Sequence, residues 1–173
     1  MTGVVRAKPN WVPTLVFYAL SLPLVIANEF DDDSMVLVFG LPILILATVF
    51  GCILHYRCWN ALPSTARRTT PGRAVGLLFV PFYNFYWVFV SVRGLAEDMA
   101  KYNQSLGLTT FKNYTALATA YSVIIVCEFA LSWIPWLGGV LGVTDFILWV
   151  IIYQGISANA SALIDREPSG IAE

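Results

Sequence analysis

Four apolar runs, at residues 11–28, 35–56, 114–134 and 139–160, constrain this chain more than any other feature. Each is 18 to 22 residues long with at most one carboxylate. About 20 such residues, wound as a helix, cross the ~30 Å hydrocarbon layer of a bilayer. The rest of the composition agrees: 58% of residues are hydrophobic and 12% charged, against roughly 45–50% and about 25% in a soluble domain. With a mean hydropathy of +0.70, the chain lacks the polar surface of a water-soluble globule and is too apolar for disorder. Ten basic residues against eleven acidic ones leave no positive excess for nucleic acid. The expected fold is therefore an all-α integral membrane protein in one domain, with four transmembrane helices.

A fifth run, 74–92, is uncharged but carries Pro81 and Asn84 at its middle. There a helix breaker and an amide would meet the bilayer centre. It is also crowded with aromatics (Phe79, Phe82, Tyr83, Phe85, Tyr86, Trp87 and Phe89), which favour the headgroup region. If it crossed, the basic residues would split six to four between the two sides. If it turns back, all ten fall on one side, as the positive-inside rule prefers. The expectation is a re-entrant or interfacial helical hairpin, with both termini cytoplasmic. Arg6, Lys8 and the Val25-Ile26-Ala27 sequence also fit a cleaved signal peptide, but Pro13 and Pro23 interrupt its apolar stretch and favour a retained span.

After the hairpin, Leu95, Met99, Tyr102 and Leu106 recur at helical spacing, with Arg93, Glu97, Asp98, Lys101 and Gln104 opposite. This predicts an amphipathic surface helix over 93–106, ended by Gly107 and supported by Glu97 and Lys101 in the favourable i,i+4 order.

Each span carries a polar stripe: Thr14, Ser21 and Asn28; Thr48, Cys52 and His55; Tyr114, Tyr121 and Glu128; Asp145, Trp149, Tyr153 and Asn159. Stripes turned inward make a four-helix bundle with a partly polar interior. With the last turn centred between Trp136 and Leu137, Glu128 and Asp145 sit at one depth, where both cannot ionise. Together with Tyr121, Asn159 and His55 they form the candidate intramembrane polar site, either a proton or cation path or a hydrogen-bonded lock between the last two helices. His55 is expected near the cytoplasmic end, beyond direct contact with either carboxylate. Small residues, among them Ala118, Ser122, Gly155 and Ala160, predict close packing of the last two helices. Trp133 and Trp136 predict interfacial anchors at the outer turn. The acidic loop at 29–33 reads as a solvated turn and lacks the ligand spacing of a calcium site.

Catalytic constellations do not occur. One histidine excludes a multi-histidine metal site, and Cys52, Cys58 and Cys127 read as small core residues. No cofactor is expected.

The stretch Thr70-Pro71-Gly72-Arg73-Ala74-Val75-Gly76, then Phe79-x-Pro81-x-x-Asn84-x-Tyr86-Trp87 and Arg93-x-Leu95, resembles a motif of uncharacterised bacterial multi-pass membrane proteins, a domain family of unknown function. The likeness covers roughly residues 57–105. It implies a bacterial cytoplasmic (inner) membrane and no particular activity. Within the motif, which includes Trp87, Pro71 and Gly72 are expected to turn the chain at the interface, Arg73 to anchor to lipid phosphate, and Pro81 with Asn84 to form the hairpin tip. The expected role is a non-enzymatic accessory or scaffold subunit, in contact with membrane lipid and with a membrane-protein partner or a second copy. The alternative is a small proton or cation channel or transporter that uses Glu128 and Asp145.

Overall fold

The computed structural model describes residues 6–30, 34–108, 111–131 and 133–166. They form helices joined by turns: α1 (Val12–Phe30), α2 (Ser34–Ala61), α3 (Pro71–Gly76), α4 (Tyr83–Val88), α5 (Gly94–Ser105), α6 (Thr115–Leu131) and α7 (Pro135–Arg166). A 3₁₀ turn, Leu77–Phe79, follows α3, and a π-helical turn, Phe89–Arg93, joins α4 to α5. No strand occurs among the described residues. The all-α expectation holds.

Local chemistry sets the helix ends. The α1 helix opens with Asn10 Oδ1 accepting from the Val12 amide at 3.1 Å. Pro63 disfavours helical geometry at Leu62, and α2 stops at Ala61. Thr70 caps α3 by accepting from the Arg73 amide, with Pro71 buried at the first helical position, where its missing N–H costs nothing. The Thr70-Pro71-Gly72-Arg73 sequence is thus a helix start rather than the expected chain turn. At the end of α5, Gly107 takes φ +66°. Its amide donates to Gln104 O and the Leu108 amide to Asn103 O, which is the Schellman closure.

Among the described residues two helices, Gly40–Ala61 and Gly139–Arg166, are long and apolar enough to cross a membrane. Four were expected. The turn into the last helix explains part of the difference. Proline suits a helix start, so α7 begins at Pro135 and α6 ends at Leu131, leaving α6 with 17 residues. In α1, only Val12–Ser21 counts as a described apolar stretch. The side chains of Asn28 and Trp136 and the acidic residues 31–33 lie outside what the structure describes, so the expectations for them stand apart from it. Trp133 is exposed at the turn.

The core gathers at the end of the bundle where α3 to α5 insert. Leu54, Cys58, Trp59 and Leu62 from α2 meet Ala74, Val88, Val92, Leu95 and Met99, with Ile152 and Ile156 from α7. The apolar stripe of α5, through Leu95 and Met99, therefore packs into this core, where a surface-lying helix was expected. Toward the other end, Leu41, Ile45 and Val49 of α2 and Val140, Val143 and Ile147 of α7 stay exposed. Between α6 and α7, a Cβ at Gly155 would fall on the Tyr114 ring, so the absent side chain makes room for that ring.

Arg68 ties the loop after α2 to α5. Its guanidinium Nε and NH2 reach Asp98 Oδ1 at 3.0 and 2.6 Å, and its backbone amide donates to Asp98 Oδ2 at 2.9 Å. The NH2 group also pairs with Glu97 at 3.0 Å, and Lys101 pairs with Glu97 at 2.8 Å in the expected i,i+4 order. Hydrogen bonds from Lys101 and Arg68 pull the Glu97 carboxyl down to about 2.

Arg68→Ala leaves the Asp98 carboxylate, which is 8% exposed, without its partner. It should destabilise the fold by about 2 kcal/mol, read by thermal unfolding in detergent. The depressed Glu97 pKa means that its stabilisation is present above the ordinary carboxylate pKa and is lost as pH falls from about 4.5 to about 2. Glu97→Gln should flatten that part of the acid profile.

Candidate functional site

The polar interior of the molecule centres on His55. Helix α2 carries it into the core, 3% exposed, and both ring nitrogens are engaged. Its Nδ1 lies 2.7 Å from Tyr153 Oη on α7, and its Nε2 lies 2.6 Å from Ser91 Oγ on the π-helical turn. Ser91 Oγ also lies 2.8 Å from the Ala74 carbonyl of α3, to which Trp87 Nε1 donates at 3.2 Å. Trp59 Nε1, one turn beyond His55, is 3.2 Å from both His55 Nε2 and the Ser91 carbonyl.

Counting donors assigns the protons. A carbonyl only accepts, so the Ser91 hydroxyl donates to Ala74 O. Its oxygen then accepts from His55 Nε2–H, which leaves Nδ1 to accept from the Tyr153 hydroxyl. With Nε2 protonated, the Trp59 N–H goes to the Ser91 carbonyl. Every group is satisfied by a neutral imidazole in its Nε2–H tautomer. The π turn supplies the local geometry, since the extra residue in its wider turn lets Ser91 face both α2 and α3; such turns often occur at functional sites.

The same bonds show how the chain runs through 74–92. Ala74 lies against Trp87 and Ser91, so this segment reverses on itself. The reversal occurs at Val80, Pro81 and Phe82. The Tyr83 amide donates to Pro81 O at 2.7 Å across Phe82, which adopts φ +61° in a strained γ-turn. Pro81 thus lies at the reversal, while Trp87 lies buried at the base. Asn84 Oδ1 is buried without a hydrogen-bond partner. Gly72 and Arg73 are exposed on α3.

The carboxylates occupy a second region. Glu128 Oε1 sits 3.5 Å from where a Cβ on Gly142 would be, one turn before Asp145. The equal depth expected for the two is displaced because the helical turn comes earlier, ahead of Pro135. Glu128 remains within electrostatic reach of Asp145, and Asp145 Oδ1 is buried without a hydrogen-bond partner. Tyr121 is buried within reach of both.

An aromatic column climbs from this region to His55. Tyr18 lies 5.2 Å from Trp149, Trp149 stacks on Tyr153 at 5.2 Å, and Tyr153 meets the His55 ring at 5.9 Å. Asp145 and Tyr153 are two turns apart on α7, roughly 12 Å, and rings rather than hydrogen bonds fill the interval. His55 thus lies apart from the carboxylates, and the single polar site expected from the sequence divides into two regions. Asn159 departs from the expected group: its amide donates to the Lys112 carbonyl at 3.1 Å, fastening the loop before α6, because its side chain lies at the edge of α7 while Ala160 and Leu163 carry that helix's buried face.

Ser91 and Trp59 are the functional side chains least evident in the sequence. The signals were present: Ser91 is the only polar residue in Val88-Phe89-Val90-Ser91-Val92, and Trp59 follows His55 at i+4. Among the described residues no group of His, Cys, Asp or Glu is arranged to hold a metal ion. No protein-family model matches the chain, and no curated protein or solved structure matches it either.

Ser91→Ala removes a donor to Ala74 O and the acceptor for His55 Nε2–H. It should cost about 1–3 kcal/mol, measured by unfolding in detergent. Nitrogen NMR of a ¹⁵N-histidine-labelled sample should show a protonated Nε2 and a bare Nδ1 for the single histidine. The opposite tautomer would contradict the assignment.

Proposed function

We propose that this chain is a small multi-pass protein of a bacterial cytoplasmic membrane, with four spans and both termini cytoplasmic, that acts as a non-enzymatic accessory or scaffold subunit. One observation carries this reading: the hairpin of α3 and α4 is fastened at its base and left open at its tip. At the base, Ala74, Trp87 and Ser91 are buried, Trp87 and Ser91 both donate to the Ala74 carbonyl, and Ser91 is bonded to His55 and Trp59 of α2. At the tip, Phe82 is 81% exposed and strained, with Phe79, Tyr83 and Tyr86 exposed around it. Strain held at an exposed aromatic apex marks a surface kept for contact. In a re-entrant or interfacial placement, that apex meets lipid and a neighbouring membrane protein or a second copy.

The topology draws support from the opposite end of the fold. Lys8 pairs with Asp165 at 2.6 Å, and the Arg166 guanidinium lies over the Phe111 ring. The segments flanking the first and last long helices thus share one end. An enzymatic reading of the Ser91–His55 pair is disfavoured by its bonding. A nucleophile needs a proton it can surrender and access to substrate, whereas Ser91 is fully buried and its hydroxyl is committed to Ala74 O.

Phe82→Gly relieves the positive φ at little packing cost and should stabilise the fold by about 1 kcal/mol. A photo-crosslinking residue at position 82 should give one discrete protein adduct in native membranes. Lipid adducts alone would overturn the accessory role.

A second reading, a proton or cation path, is favoured by the buried, unpartnered Asp145 Oδ1 beside Glu128. Under that reading Glu128→Gln and Asp145→Asn abolish ion flux in liposomes while folding is kept; undiminished flux removes it.

A further inference from the structure

A cleft of about 510 Å³ opens between α5 and the segment leading into α6, remote from both the hairpin tip and the carboxylates. Arg93, Lys101 and Lys112 line it, with one carboxylate, Glu97. That carboxylate is ionised and already engaged by Lys101 and Arg68. Neither Arg93 nor Lys112 has an ion-pair partner among the described residues, so the cleft keeps a net positive charge. The first residue of α6, Thr115, also lines it and turns the positive end of a 17-residue helix toward the same space.

A second, independent observation points to a ligand. Asn103 lines the cleft, is 3% exposed, and has both amide atoms buried without a hydrogen-bond partner. Burying an amide unpaired is costly. Its backbone does not explain the position, because Gly107 completes the Schellman closure whatever side chain residue 103 carries. In the cleft, Nδ2 offers two N–H donors to an anion, and Oδ1 accepts from a hydroxyl on the same ligand. Guanidinium, ammonium and amide donors converging on one space are what a phosphate group requires.

We propose that this cleft binds a phosphate ester, with Arg93 and Lys112 neutralising the phosphate and Asn103 hydrogen-bonding to it. The same chemistry is offered by the headgroup of an anionic phospholipid and by a soluble phosphate monoester. The proposal does not depend on the accessory role or on the carboxylate pair.

The test is calorimetric titration of the full chain in neutral-lipid nanodiscs with glycerol phosphate, repeated in nanodiscs containing phosphatidylglycerol. Saturable binding in the neutral discs is expected. Arg93→Gln and Lys112→Gln should each weaken it at least tenfold, and Asn103→Ala several-fold, with unfolding temperatures within a few degrees of the parent. Binding should also weaken as ionic strength rises. Competition by phosphatidylglycerol identifies a lipid headgroup as the source, and its absence identifies a soluble ester; either supports the site. Should Asn103→Ala fail to fold, the two charge variants still decide, because both residues are exposed. No saturable binding to glycerol phosphate or to phosphatidylglycerol, or binding that survives both charge substitutions, overturns the proposal.

Discussion

One buried imidazole holds the architecture together. His55 joins three parts of the chain that are far apart in sequence: α2, which carries it; α7, through the 2.7 Å contact with Tyr153; and the hairpin, through the 2.6 Å contact with Ser91. In a core otherwise built from apolar side chains, each of these groups would be expensive to bury alone. Their mutual satisfaction makes one arrangement of hairpin and bundle much better than its neighbours. A shift of α4 by a single residue would take Ser91 away from both His55 and the Ala74 carbonyl. The apolar contacts of Leu95, Met99 and Ile152 supply most of the driving force for this end of the molecule, and the hydrogen bonds select the register.

The tight base explains why strain can persist at the tip. Phe82 holds a backbone geometry that few residues other than glycine accept, and it packs against little. Only the fixed paths of α3 and α4 on either side impose that geometry. A rigid base with an exposed, strained apex separates the part of the hairpin that builds the fold from the part free to make contacts.

Much of the helical layout was legible from residue patterns. Uninterrupted apolar runs mark the long helices, and Pro81 in an aromatic run marks the reversal. Glu97 and Lys101 pair at i,i+4, and Gly107 ends α5. Other features follow from contacts that no local pattern encodes. The apolar pattern centres the last turn between Trp136 and Leu137, yet proline at the start of α7 moves that turn earlier and takes Glu128 out of step with Asp145. The stripe of Leu95 and Met99 is amphipathic, and periodicity alone does not say whether its apolar face meets lipid or protein. Ser91 becomes important only because a π turn points it at a histidine 36 residues away. The burial of Asn103 is likewise a tertiary property of the loop after α5.

In the proposed topology residues 74–92 turn back within the membrane, which keeps α5 on the cytoplasmic side. Labelling of a single cysteine tests it most directly. In a variant with Cys52, Cys58 and Cys127 replaced and Lys101→Cys introduced, an impermeant thiol reagent added outside intact cells should leave position 101 unmodified. Permeabilising the membrane should then expose it, because Lys101 is a surface residue of α5. Labelling of position 101 in intact cells would mean that the segment crosses, and would contradict the account.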